Sequence, residues 1–465
     1  MLRAPFVVLS TLFVAPLAAQ VDSLRDTARV TPEAAALVVP PQRPLLAVGE
    51  VMLINLAVNM FDGFVLNEPW AKGVTPDSWY DNLRLGWEWD ENNFVTNMWA
   101  HPYHGGLYYN AGRANGLDFW ESSTLAFLGS WTWEYFGEIN RPSLNDFFMT
   151  SFGGIALGET FHRIGASIRN NEARGSGRTW REIAALPLDP VGAVNRLFRG
   201  EWHERKPNPP EHNPEAFILR VGGGVRYAAE NDSGDVATLG SVVIDLVYGD
   251  QFRPYRSPFD VFGMRAIVSE GGGLSIVRVA GRLYALDLND PTKTTRHQFA
   301  VNQRFDYIDN PAFGIGGQSV EAGVTSRFPI GKGYGVRTGV FADGILLAAI
   351  DGPVSGIGER TYDFGPGVGA RVELSLEKHG LRFLTLHGRT EYMHSISGAT
   401  ADHIIGFTAL EANVPVIANV GLALQANTYH RLSRYAGMAD DLRDYPELRL
   451  LLTWTMANFV STHEP

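Results

Sequence analysis

The sequence predicts an α+β chain in which an N-terminal helical domain precedes an antiparallel transmembrane β-barrel of about twelve strands. Three observations carry this prediction. The chain opens on an export leader, its first half shows helix-type patterning, and its second half alternates apolar and polar residues over long runs.

The leader sets the compartment. Met1-Leu2-Arg3 is a short positive region, Phe6 to Leu17 is almost wholly apolar, and Ala18-Ala19 precede Gln20. That order marks a signal peptide over 1–19, with cleavage near Ala19–Gln20. The apolar run is too short for a permanent span. The chain has no cysteine, which excludes a lipoprotein anchor, a disulfide and a thiolate metal site.

Composition narrows the class further. A length of 465 residues leaves room for more than one domain. With 50 glycines, 11% aromatic and 19% charged residues, the chain suits neither long disorder nor a coiled coil. A net charge of −11 argues against nucleic acid, which needs a basic surface to displace counterions. Mean hydropathy is close to zero, and no uninterrupted apolar run of about 20 residues follows the leader. A transmembrane barrel averages near zero as well, because lipid-facing and lumen-facing residues alternate.

The alternation is plainest from Tyr362 onward. Even positions read Tyr362, Phe364, Pro366, Val368, Ala370, Val372, Leu374 and Leu376. Odd positions read Asp363, Gly365, Gly367, Gly369, Arg371, Glu373, Ser375 and Glu377. Phe299, Val301, Phe305 and Tyr307 alternate in the same way with Ala300, Asn302, Arg304 and Asp306. Such runs place strands at 216–228, 237–249, 260–269, 273–287, 296–307, 317–329, 333–346, 360–377, 381–394, 402–415, 418–431 and 445–459.

Connections after even strands include tight turns at Gly331-Lys332-Gly333, Lys378-His379-Gly380 and Pro415 to Asn419. Those after odd strands include the longer 347–359 and 432–444. Short turns on one side and long loops on the other are the habit of outer-membrane barrels. The turn around Phe252 to Pro258 is longer than that habit predicts.

A soluble sandwich or lipocalin-like barrel also alternates, with its apolar face inward. The strand lengths, the aromatic residues near strand ends (Tyr227, Tyr248, Tyr284, Tyr307, Tyr392, Trp454) and the leader favour the membrane reading. Phe459 nearly supplies an aromatic C-terminal end, although six residues follow it. The polar face carries both signs of charge, among them Arg304, Asp306, Glu321, Arg371, Glu411 and Arg449. Mixed charges predict a paired internal network rather than an open pore.

The first half reads differently. Residues 20–48 form a tether rich in Pro, Ala and Val, 49–200 a helical domain, 201–215 a polar linker and 216–459 the barrel. Glu50 to Leu66 is mostly apolar, with Asn55, Asn59 and Asp62 on one narrow stripe of an otherwise buried helix. It carries too many polar residues to be expected as a lipid-spanning helix. Asp118 to Glu138 is aromatic-rich with interspersed small residues. A helix capped by Ser143, with Asp146 in its first turn, is expected to reach about Ile168. Pro190 to Gly200 is a further short helix. These helices are expected to pack on one another as a cluster at the periplasmic rim, capping or plugging the barrel.

The run Asn97-Met98-Trp99-Ala100-His101-Pro102-Tyr103-His104-Gly105-Gly106 continues through Tyr108, Arg113 and Gly116 to Trp133-Glu134 and Glu138. Pro142-Ser143, Asp146, Gly153-Gly154 and Gly158-Glu159 through Arg163 follow. Together these motifs resemble the bacterial domain of unknown function numbered 3943, over roughly residues 75–200. The resemblance implies an envelope protein and brings no activity, substrate or catalytic residue with it.

Candidate chemistry rests on spacing. Glu134 and Glu138 lie four apart and Glu159 and His162 three apart, so each pair shares a helix face suited to metal ligation. With His101 they are candidates for a catalytic or metal site. The second Glu-x-x-His of a di-iron bundle is missing. The competing reading is a structural polar network around Asn97, Arg113, Asp146 and Arg163. His104, beside two glycines, reads as a loop residue.

No Gly-x-Ser-x-Gly elbow is present, and His387 falls on the polar parity, away from lipid. No cofactor is expected. The expected partner is outer-membrane lipid, with no nucleic acid and no nameable small-molecule ligand. Two functions follow: an outer-membrane barrel with a helical periplasmic cap or plug, in a structural, lipid-handling or gated-transport role, or an envelope hydrolase of lipid or glycan using His101 and the neighbouring glutamates.

Overall fold

The computed structural model describes residues 41–212, 214–229, 236–270, 273–290, 292–310, 313–352 and 360–459. The leader at 1–19, the tether as far as residue 40 and most of the 347–359 connection lie outside the described residues. The described chain forms two compact units. One takes residues up to 85, 103–141 and 157–214, and the other takes 86–102, 142–156 and the strands from 215 onward.

The strands are β1 Ala216–Ala229, β2 Val236–Tyr248, β3 Phe262–Ser269, β4 Gly273–Asp287, β5 Arg296–Asp309 and β6 Gly314–Gly331. They continue as β7 Tyr334–Asp351, β8 Tyr362–Lys378, β9 Leu381–His394, β10 Ala401–Ile417, β11 Val420–Tyr435 and β12 Asp441–Phe459. Each pairs antiparallel with its sequence neighbours, and β1 pairs with β12 to close a twelve-strand barrel. Closure leaves no edge, so every ladder group finds a partner within the ring.

Three hairpins turn in two residues, Lys332-Gly333, His379-Gly380 and Ala418-Asn419, the first two with positive φ at both positions. That geometry matches the twist of the flanking strands. The connections 347–359 and 432–444 are shorter than expected, because β7 runs on to Asp351, β11 to Tyr435, and β12 starts at Asp441. The contrast between short turns and long loops is therefore confined to part of the ring.

The apolar face points outward. Val340, Val368, Val414 and Leu452 are each about 60% exposed, while the alternate positions Asp343, Glu391, Glu411 and Thr453 are buried. Leaving a large aliphatic side chain in water costs roughly 1.5–3 kcal/mol, so a ring of them specifies a hydrocarbon surround.

Segments 86–102 and 142–156 lie on the outside of this wall. On β5, Arg304 and Asp306 face the lumen, where they meet Asp343 and Arg389. The odd positions Gln303, Phe305 and Tyr307 therefore face outward, yet all three are buried. The Gln303 amide donates to the Phe152 carbonyl at 2.8 Å, and the Tyr307 ring meets Phe94 and Trp99. Phe364, outward on β8, packs on Trp89, and the Asn97 amide donates to the Tyr362 hydroxyl at 2.6 Å. At Gly316 a Cβ would sit 2.5 Å from Met98, so only glycine permits this approach. The expectation of a cap or plug is corrected for these segments: they cover the wall and leave the lumen to the barrel's own side chains.

The helical elements are α1 Pro44–Phe61, continued by a π-turn over Asp62–Leu66, α2 Pro69–Lys72, α3 Pro76–Leu85 and α4 His101–Ala114. They are followed by α5 Phe119–Phe136, α6 Leu144–Phe148, α7 Gly154–Ile168, α8 Gly175–Ala185 and α9 Pro190–Phe198. Helix α1 starts inside the stretch read as tether, with Pro44 in its first turn. A capping box of Asp118 and Glu121 starts α5, and Ser143 caps α6 by accepting from the Asp146 amide. A π-turn at Met149–Gly153 links α6 to α7, so the helix expected from Ser143 to Ile168 is continuous with a bulge.

Helix α1 is inverted relative to expectation. Its polar stripe faces the unit's interior, where Asn55 donates to Thr132 at 3.0 Å and Asn59 to the Gly137 carbonyl at 2.8 Å. Ala47 and Val51 are buried beside Tyr108 and Leu125, while most of its remaining apolar side chains are exposed. Close packing beneath it depends on Gly129, where a Cβ would lie 2.4 Å from the Tyr108 ring.

Candidate functional site

The lumen is the place where a barrel protein conducts or refuses passage, and here side chains reach across it at three levels. In the middle, Arg304 on β5 reaches Asp343 on β7 at 3.0 Å, and Arg371 on β8 reaches Glu321 on β6 at 2.7 Å. Asp306 binds Arg389 on β9 at 3.0 Å and Arg278 on β4 at 2.9 Å. Arg265 on β3 crosses almost the full ring to Glu411 on β10, with one contact at 2.7 Å, and also holds Asp245. The bidentate shape of the guanidinium suits such bridging, since each fork satisfies a carboxylate that is otherwise costly to bury. The space beside Arg220, Asp245, Asn413 and Gln425 is too narrow for a water molecule.

Toward the long connections the lumen turns apolar. Ile308, Phe313, Ile350, Met393, Ile405, Tyr429 and Tyr445 form one buried cluster. Arg431 on β11 also ties to Asp351 on β7 at 2.7 Å. At the opposite end the long connection between β2 and β3 explains its own length by folding back into the mouth. Gln251 donates to Thr325 at 2.8 Å, Arg337 lies 5.1 Å over the Phe252 ring, and Arg296 donates to the Phe252 carbonyl at 2.7 Å. Arg282 ties the segment down through the Gln251 carbonyl at 3.0 Å and Asp260 at 2.8 Å. His387 lies on the lumen side against Phe407, as its parity indicates.

The candidate residues of the first half separate into distinct clusters. His101 stands 3.8 Å from Asp146 and 3.3 Å from the Thr150 hydroxyl, beside the wall segments. Asn97 also donates to Asp90 at 2.8 Å.

Glu134 is fully buried in the helical unit, and together with Glu138 it acts electrostatically on the Tyr108 phenol. His104 is not a loop residue. It sits in α4 with Nε2 2.9 Å from that phenol and its ring against Trp133.

Glu159 and His162 do not point at a common ligand. Glu159 binds Arg163 at 2.7 Å and Arg113 at 3.0 Å, and accepts from the Tyr109 hydroxyl at 2.8 Å. His162 instead faces Asp189 at 3.7 Å and Glu211 at 3.4 Å. Among the described residues no three His, Asp or Glu side chains gather in a metal-holding arrangement. Asp189 and Glu211 were invisible to spacing arguments, because they approach α7 from later segments.

Burial opposes ionisation of Asp189, but Arg169 at 2.8 Å and His162 hold its carboxyl well below the usual range. Glu211 is held low in the same way, by Arg113 and His162 against burial. His212 is displaced most usefully for experiment: burial, Arg196 and Arg169 push its imidazole from about 6.5 down to about 3.

The unfolded His212 takes a proton as pH falls through 6.5, while the folded one refuses it until about 3. Stability from this residue is therefore lost on acidification, by about 2 kcal/mol at pH 5. All tryptophans except Trp454 precede residue 203, so intrinsic fluorescence reports the helical half. Melts of the detergent-solubilised chain at pH 7 and pH 5 should show a smaller acid loss in His212→Asn than in the unmodified protein. Equal losses would show that His212 is not held neutral.

Fold and surface thus define the class, a closed antiparallel barrel with an apolar outer belt and a helical N-terminal half. Residues 86–191 match the family described as Domain of unknown function (DUF3943). No curated protein matches the chain.

Among solved structures, the NanC porin is 12% identical, with 51% of this chain and 98% of that one covered at a TM-score of 0.28. An outer-membrane channel from Pseudomonas putida F1 is 11% identical, covering 52% and 96%, at a TM-score of 0.25. OmpT of Vibrio cholerae, an outer-membrane protein, is 7% identical, covering 52% and 96%, at a TM-score of 0.23. Likenesses this slight say nothing about cargo.

Proposed function

We propose that the chain is an outer-membrane protein whose barrel is a sealed membrane anchor in its resting state, not a diffusion channel. One observation carries this reading: arginine–carboxylate pairs cross the lumen, above all Arg265 to Glu411 and Arg389 to Asp306. An aqueous pore keeps its charges hydrated along the wall, whereas these are bound to one another and mostly buried. The Gln251–Phe252 fold-back adds a stopper at the two-residue-turn end, which we place in the periplasm with the longer connections outside. Outer-membrane lipid is the partner of the apolar belt. The hydrolase alternative loses its geometric basis, since the described partners of His101 are Asp146 and Thr150 rather than the glutamates.

Planar-bilayer recording tests the reading. The unmodified chain should insert without steady conductance, while Arg265→Ala combined with Arg389→Ala should produce flickering openings. Stable stepwise conductance from the unmodified chain would overturn a sealed barrel.

A further inference from the structure

Helix α1 and its π-turn extension are built the wrong way round for water. The span Pro44–Leu66 is 23 residues long with a mean hydropathy of 1.7, and only 11% of its most apolar window is buried. Leu45, Leu53, Leu56, Met60, Phe64 and Val65 all point outward, and Leu45 is 87% exposed. The polar side chains turn inward instead. Asn55 and Asn59 bond to α5 and its C-terminal turn, and the Glu50 carboxylate accepts from Asn115 at 2.8 Å and Asn195 at 2.9 Å.

The packing beneath α1 has the same inverted character. Small residues let helices approach closely, as at Gly112 against Ser122 and Gly158 against Tyr109. Ion pairs such as Arg163 with Glu159 and Arg169 with Asp189 are buried in the interior. Apolar skin, small-residue contacts and interhelical polar bonds are how helices pack in hydrocarbon, where no hydrophobic force drives apolar faces inward.

We propose that the outward face of α1 contacts lipid acyl chains, so that this face of the helical unit borders the bilayer rather than the aqueous periplasm. Length supports this occupant, since 23 helical residues rise about 34 Å against a hydrocarbon core of about 30 Å. Charge supports it too, because the outward arc carries no ionised side chain. A protein partner would need a stripe with a polar rim, whereas exposure here continues from Leu45 to Leu66. The inference rests on the membrane reading of the barrel, which makes hydrocarbon a phase this chain already meets.

Spin labelling of the full chain in phosphatidylethanolamine–phosphatidylglycerol liposomes decides it. The chain has no cysteine, so Leu53→Cys, Leu56→Cys and Phe64→Cys each give one label. Val368→Cys on the barrel belt and Lys332→Cys in a turn serve as lipid and water references. Heat-modifiable migration confirms that each variant is folded. The α1 labels should resemble Val368→Cys, with an oxygen-to-nickel-chelate accessibility ratio several-fold above that of Lys332→Cys. Chelate accessibility like that of Lys332→Cys, or protection from both reagents as under a protein partner or second copy, overturns the proposal. A water-like Val368→Cys would instead sink the membrane reading itself.

Discussion

Replacing Arg304 by methionine should cost the barrel about 3–5 kcal/mol, the largest effect expected of any single substitution in the strands. Its guanidinium is buried and reaches Asp306 at 2.9 Å, Asp343 at 3.0 Å and Glu321 at 3.5 Å. Methionine fills much of the volume, so packing changes little, and the loss falls on three carboxylates left in a water-poor lumen. Arg371 still holds Glu321 and Arg389 still holds Asp306, which leaves Asp343 the most exposed to the loss.

Urea unfolding in micelles, followed by the shift between folded and unfolded gel mobility, measures the effect. Asp343→Asn added to Arg304→Met should recover part of it, because the amide needs no counterion. Arg434→Met is the control. That arginine faces Asp440 at 3.7 Å with both side chains more than half exposed, so it should change stability by less than about 0.5 kcal/mol. Equal effects at Arg304 and Arg434 would mean the lumen is wet.

Arg113→Met should have a comparable effect in the helical half, again about 3–5 kcal/mol. The Arg113 side chain binds Glu159 at 3.0 Å, Glu211 at 2.8 Å and the Leu117 carbonyl at 2.9 Å. Glu159 is fully buried and keeps Arg163 and the Tyr109 hydroxyl when Arg113 is lost. Tryptophan fluorescence follows this unfolding, because the barrel itself holds only Trp454. Glu159→Gln in the Arg113→Met background should restore part of the loss. If it restores nothing, the energy lies in the Glu211 and Leu117 contacts instead.

The i,i+4 relation of Glu159 and Arg163 was legible in the sequence, and so was the lumen parity of His387. Local geometry decides such facts, because a helix turn or a pleat fixes which neighbours share a face. The partners of His162 were not legible. Asp189 and Glu211 reach it from a loop and from a short 3-10 turn, and no periodicity links those segments to α7. His104 was misplaced because Gly105-Gly106 suggest a loop, whereas ring contacts with Tyr108 and Trp133 hold the segment helical.

By itself the sequence determined the barrel and the place of each of its twelve strands. Period-two alternation is a property of each strand alone, and it persists whatever surrounds the sheet. Only the tertiary structure decided what covers each face. Phe305 and Tyr307 alternate identically whether lipid or the segments 86–102 and 142–156 lie against them. Pairing across the lumen likewise needed three dimensions, since Arg265 and Glu411 meet only once the ring has formed.

Helix α1 makes the same point most sharply. Its sequence divides it into a polar stripe and an apolar arc but does not say which one faces inward. Assigning the apolar arc to the core assumes water outside, and the solvent is a property of the environment that the chain's periodicity does not encode.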